Sequence, residues 1–228
     1  LHLTVISPDE PTLKEAEKVC QKYEFKNYLL LKDPGNGKPV ALNIAVETIT
    51  NEGAGITSDD LLILTDGDVC LQNTAIKNVL NFFKASDSKI IGGVGGHPVS
   101  VNSRKNIFGY FSHLFCEAAH VCRLKSPQTV PMSGYLYAIR GDLLSRVFPI
   151  PAQIRAEDAY ISQKMLSLGY KIDYAPSALV YVKFPKNLSD WYKQKTRSLG
   201  GNIQLGTSMR SIAQDLQMAL FPLLSAKS

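Results

Sequence analysis

From residue 3 to residue 94, short apolar runs alternate with amphipathic stretches, and this alternation narrows the possible folds more than any other feature of the chain. Residues 3–6, Leu-Thr-Val-Ile, read as a buried strand that stops at the turn signal Ser7-Pro8-Asp9. Pro11 and Thr12 open a helix to about Lys22, with Leu13, Ala16, Val19 and Cys20 on one face. Residues 28–31 form a second strand. A loop with Gly35-Asn36-Gly37 leads into a helix over 38–50 that buries Val40, Ala41, Ile44 and Val46. A strand over 61–64 runs into Thr65-Asp66-Gly67-Asp68, a helix covers 73–84, and a strand covers 89–94. Strands and helices in strict succession, joined by short loops, argue for a parallel sheet covered on both faces. Ligands of such sheets sit beyond the carboxyl ends of the strands. Both Gly35-Asn36-Gly37-Lys38 and Asp66-Gly67-Asp68 fall there.

The second half is less regular. Helices are expected over 107–123, over 159–168 with Gly169 as the stop, and over 188–199 ending at Gly200-Gly201. Strands are expected over 135–139 and 178–182. A last amphipathic helix over 209–224 places Met209, Ile212, Ala213, Leu216, Leu220 and Leu223 at helical spacing, which suits docking on the domain or lying at a membrane interface. A chain of 228 residues with 45% apolar content has enough material for one large core. The charge of +5 is too mild for a nucleic-acid binder and fits an anionic substrate or a nearby membrane surface. Cys20, Cys70, Cys116 and Cys122 form no Cys-x-x-Cys pair, which excludes a zinc ribbon and fits a reducing compartment. No signal peptide or membrane-spanning run is visible, and a start at Leu1 suggests a piece cut from a longer protein.

The candidate chemistry is spread along the chain. Asp66 and Asp68 on a tight turn suit a hard cation that completes its shell with phosphate oxygens, although Asp is also common in plain turns. Lys38 at a helix start suits phosphate, or is a solvated lysine. Glu157 and Asp158 open a helix; there they offset the helix dipole or take a proton from a hydroxyl. Gln194 and Arg197 share a helix face, where Arg suits bidentate phosphate binding or faces solvent. His113, Cys116 and His120 form a stripe beside Glu117 that could ligate a transition metal but more often is packing.

Taken in order, these segments resemble one family. Gly37-Lys38-x-x-Ala41-Leu42-Asn43, Asp66-Gly67-Asp68, Ser133-Gly134-Tyr135, Glu157-Asp158 and Gln194-x-x-Arg197 resemble the family-two glycosyltransferases of the GT-A fold, the group that includes cellulose, chitin and hyaluronan synthases. The resemblance spans residues 3–201. It implies an α/β chain: a single GT-A-like, Rossmann-like domain over 1–206 with a mostly parallel sheet flanked by helices, followed by the amphipathic segment 207–228. It implies an inverting, metal-dependent transfer of a sugar from a nucleotide-diphosphate donor, a UDP-sugar, to a hydroxyl of a glycan or lipid-linked acceptor. Mg²⁺ or Mn²⁺ would be the cofactor. The setting would be polysaccharide biosynthesis in the cytoplasm, at the inner face of a membrane, with no nucleic-acid partner. Asp158 would be the general base with Glu157 beside it. Asp66 would face the nucleotide and, with Asp68, the metal. Lys38, Gln194 and Arg197 would line the nucleotide and diphosphate, and Gly134 and Tyr135 the acceptor loop. The family's first strand has no counterpart here, which leaves Asp9 as the candidate for base contact. Processive members carry Trp after the last motif's Arg, where this chain has Ser198. A non-catalytic nucleotide-sugar-binding module and a nucleotidyltransferase are the alternative activities.

Overall fold

The computed structural model describes residues 1–51, 56–85 and 90–205, apart from several side chains near the end of the last helix. The expected helix over 209–224 therefore lies outside the described residues. A parallel pair, β1 (Leu3–Ser7) and β2 (Tyr28–Lys32), is joined by helix α1 (Glu10–Lys22). Helix α2 (Lys38–Asn51) leads to β3 (Leu61–Thr65), the short β4 (Cys70–Leu71), α3 (Ala75–Ala85) and β5 (Ile91–Ser100). Then come α4 (Ile107–Lys125), β6 (Leu136–Arg140), the single turn α5 (Leu144–Val147), α6 (Glu157–Ser167), β7 (Lys171–Val182) and α7 (Leu188–Gln204).

The larger sheet has the order β3-β6-β5-β7-β4. Its pairings correct the expected mostly parallel sheet. Only β5 and β7 pair in parallel; β6 runs antiparallel to both β3 and β5, and β4 antiparallel to β7. The helical crossovers do return the chain in one direction, since β3, β5 and β7 all point the same way. Alternation in sequence records that direction but not which later strand slides between two earlier ones, and β6 inserts between β3 and β5. The α/β class holds, with a mixed sheet.

β6 is the centre of the core. Its residues turn alternately to the two faces. Tyr137 and Ile139 join Leu42 and Val46 of α2 and Ile161 and Met165 of α6, whereas Leu136 and Ala138 join Val79 and Phe83 of α3.

Three elements differ in extent from the sequence reading. β5 continues past Val94, where the sequence reading ended it, through Gly95-Gly96 to Ser100. The reason is tertiary: a β-carbon at Gly96 would come within 2.7 Å of Leu136. β7 is 12 residues long and starts well before residue 178. Pro176 hides its first half, yet it sits at a register irregularity opposite β5, where no ladder N–H is required. α7 runs through Gly200 and Gly201 to Gln204, so these glycines do not stop it. They allow close packing instead: a β-carbon at Gly201 would lie 2.7 Å from that of Ala156. Gly169 does follow α6 as expected, with a φ of +86°.

Candidate active site

β3 ends at Thr65, and Thr65 pairs with Leu136 at the start of β6. That register sets Asp66, the next residue of one strand, beside Tyr135, the preceding residue of the other. The Thr65 hydroxyl fixes the junction by donating to the Tyr135 carbonyl at 2.8 Å. α2 and α6 pack on the same face of the sheet, so their first residues, Lys38 and Glu157, arrive at the same edge. Asn43 of α2 holds the two helices in step. Its amide donates to the Ile150 carbonyl and accepts from the Ile150 N–H, each at 2.7 Å, on the segment that leads into α6.

The Lys38 ammonium bridges two carboxylates. It pairs with Asp66 Oδ1 and, at 2.5 Å, with Glu157 Oε1. Burial works against its charge, but the Glu157 and Asp66 carboxylates outweigh that cost and raise its pKa. Glu157 is buried, at 8% exposure, and this cation offsets the cost of its charge.

Asp158 is held by the backbone. Its Oδ2 accepts from the Gly134 N–H at 2.9 Å, and its Oδ1 accepts from its neighbour Ala159 N–H at 2.8 Å. The approach of Gly134 is close enough that a β-carbon there would sit 3.1 Å from Oδ2. Burial raises the Asp158 pKa, and the adjacent Glu157 charge raises it further, against the opposing pull of Lys38 and the two N–H groups. A carboxylate with a raised pKa, fixed in orientation and beside a second acid, is suited to taking up a proton.

The turn Asp66-Gly67-Asp68 opens onto free space, since a β-carbon at Gly67 would meet nothing within 4 Å. Asp68 is exposed and makes no hydrogen bond or ion pair among the described residues. Two carboxylates on an open turn fit a hard cation that draws its remaining ligands from phosphate and water. Among the described residues no group of three or more His, Cys, Asp or Glu side chains could hold a metal by itself.

The structure thus gathers Lys38, Asp66, Gly134, Glu157 and Asp158, with Tyr135 alongside and Asp68 two residues out. Asp9 is used differently. It caps α1, with Oδ1 accepting from the Thr12 N–H and Oδ2 from the Thr12 and Ser7 hydroxyls. Gln194 is half-buried on α7 and bonds to none of the gathered residues; the Arg197 side chain falls outside the described residues. The His113 stripe is packing: His113 bonds the Asn102 carbonyl, while His120 stacks on His97 at 4.1 Å and bonds the Tyr174 hydroxyl.

Sequence reasoning named Asn43 and Thr65 only as members of motifs, without a role, and missed Ser162. Ser162 accepts from the Met132 N–H and donates to the Asp158 carbonyl, which ties α6 to the segment that carries Gly134 into β6. Its spacing of four residues from Asp158 was readable; its contact with Met132 was not.

This fold and this edge define a GT-A-type glycosyltransferase domain, with a mixed sheet, an acidic turn after β3 and a carboxylate pair opening a helix. The profile of Glycosyl transferase family group 2 matches residues 61–227, and the chain belongs to that family. It is 26% identical over 188 residues to the Bacillus subtilis protein YdaM, whose name gives it as a probable glycosyltransferase, covering 80% of this chain and 42% of YdaM. The Staphylococcus aureus poly-beta-1,6-N-acetyl-D-glucosamine synthase is 26% identical over 225 residues, covering 89% of this chain and 53% of the synthase. The chain thus spans about half the length of these relatives, or less. Among solved structures, the mannosyltransferase PcManGT from Pyrobaculum calidifontis, in complex with GDP-Man and Mn²⁺, superposes with a TM-score of 0.64 at 18% identity, covering 100% of this chain and 66% of its own.

Proposed function

We propose that this chain is the catalytic domain of an inverting glycosyltransferase that moves a sugar from a nucleotide-diphosphate donor to an acceptor hydroxyl. The observation that carries this reading is Asp158: its pKa is raised, Gly134 fixes its orientation, and it lies on the same edge as the open Asp66-Gly67-Asp68 turn. Asp158 takes the proton of the incoming hydroxyl as that oxygen bonds to the anomeric carbon. The bond from that carbon to the diphosphate breaks on the opposite side, and the diphosphate leaves with the electron pair. A single displacement inverts the anomeric centre.

Lys38 and the open turn serve the leaving group. Asp66 and Asp68 would hold Mg²⁺ or Mn²⁺, which when bound supplies positive charge to the departing diphosphate. The Lys38 ammonium adds charge at the same edge. We read the donor as a UDP-sugar and the acceptor as a glycan or a lipid-linked sugar. The GDP-Man bound by the structural neighbour supports including GDP donors in the test.

That test is a donor panel. UDP- and GDP-sugars are incubated with the protein and Mg²⁺ or Mn²⁺, and release of nucleoside diphosphate is followed. Release of nucleoside diphosphate, with water standing in for the acceptor, supports cleavage of the sugar–diphosphate bond. Pyrophosphate released in a parallel arm from UTP or GTP with a sugar 1-phosphate would indicate a nucleotidyltransferase, and donor binding without turnover in either arm a non-catalytic module.

A further inference from the structure

Tyr137 of β6 is fully buried, at 0% exposure, and its hydroxyl has no hydrogen-bond partner among the described residues. Strand alternation turns it to the face shared by α2 and α6. Lys38, Leu42 and Val46 recur every four residues along α2, and Glu157, Ile161 and Met165 do so along α6. The lower members of both stripes pack with Tyr137 in one cluster, and the top members form the Lys38–Glu157 ion pair. The ring therefore stands in the wall directly beneath that pair. Burial first, and then the charges of Glu157, Asp158 and Asp66, push the phenol pKa well above its ordinary value. It remains a donor throughout the physiological range. A buried hydroxyl left unpaired is costly, and a phenylalanine would fill the same space without that cost.

We propose that Tyr137 is a positioning residue for the base: its hydroxyl donates to a buried water that donates onward to Asp158, keeping that carboxylate charged and aimed at the acceptor. This rests on the reading of Asp158 as the base. A site of this kind is polar enough to retain water, with the phenol and the two acidic side chains as partners. The charged groups facing Asp158 are Glu157 beside it and Lys38 from α2, with Asp66 beyond Lys38. Tyr137 is the neutral donor that approaches from the sheet.

The test is Tyr137→Phe, compared with wild type in the full chain. Transfer should fall about threefold to tenfold, the range of one lost hydrogen bond, with donor affinity unchanged. The acid limb of the rate profile should move to higher pH by about half a unit to one unit. Replacing Tyr137 with 3-fluorotyrosine, a stronger donor of nearly the same shape, should move that limb to lower pH, and it covers the case in which the Phe variant does not fold. Carboxyl NMR of Asp158 reads the same shifts without turnover. If no donor is turned over by wild type, the transferase reading fails while the NMR titration still judges Tyr137. An Asp158 titration and rate profile unmoved by either replacement overturns the proposal, even if the melting temperature changes.

Discussion

At the scale of single residues, the site depends on how two carboxylates share one edge. Lys38 pairs directly with Glu157, whereas Asp158 has no ion pair among the described residues and is compensated only in part by the more distant Lys38 charge and the Gly134 and Ala159 N–H groups. On the function proposed above, that inequality separates a supporting acid from the base. Asp158→Asn keeps the shape but cannot accept the proton. Transfer should fall by about 10² to 10⁴, the usual contribution of a positioned base, while calorimetry shows donor affinity near wild type. Glu157→Gln should be milder. Because the folded-state pKa of Asp158 is raised above 3.8, the acid limb of the rate profile should lie above the ordinary aspartate range. The sign for stability follows from the same shift. Between the ordinary and the raised pKa the folded state holds a proton that the unfolded state has lost, so this residue stabilises the fold as pH drops through that window. Asp68 tests the turn. In wild type, nucleoside diphosphate should bind more tightly when Mg²⁺ or Mn²⁺ is present; Asp68→Asn should bind it equally with and without metal. A metal effect that survives the substitution would remove Asp68 from the cation site.

At the scale of elements, the end of α7 is the support most open to test. Gln204 accepts from the Arg155 N–H and donates to the Gln153 carbonyl, so the helix braces the segment immediately before Glu157. The two adjacent glycines should respond differently. At Gly201 an added methyl meets the β-carbon of Ala156 at 2.7 Å, close to backbone that cannot yield. Gly201→Ala should cost about 1–3 kcal/mol despite the better helix propensity of alanine. At Gly200 the nearest atom is the flexible end of Arg155 at 3.4 Å, and Gly200→Ala should be neutral or stabilising. Urea unfolding of the pair decides. Equal effects would mean that packing against Ala156 is not what places glycine there.

At the scale of the whole molecule, the site is assembled from four separate stretches of chain, and only an intact fold brings them together. The expected product is a glycoside whose anomeric configuration is opposite to that of the donor, read by proton NMR of the first turnover product. Retention would rule out a single displacement at Asp158. Among the described residues no helix is long and apolar enough to cross a membrane. The sequence by itself determined the order of the longer elements, though not the two-residue β4 or the single turn α5, and the edge where ligands would gather, because hydrophobic period and turn residues are local properties. It also determined which carboxylates open α6, since a helix start is marked in its own few residues. Only the tertiary structure decided that β6 runs antiparallel between β3 and β5, and that Gly96 and Gly201 are points of close packing. It also decided that Lys38 joins Asp66 to Glu157, and that Gly134 rather than a side chain holds Asp158. Each of these is a contact between residues distant in sequence, 24 positions apart for Gly134 and Asp158. Period and propensity carry no record of such pairs, because the packing that selects them exists only once the sheet has closed.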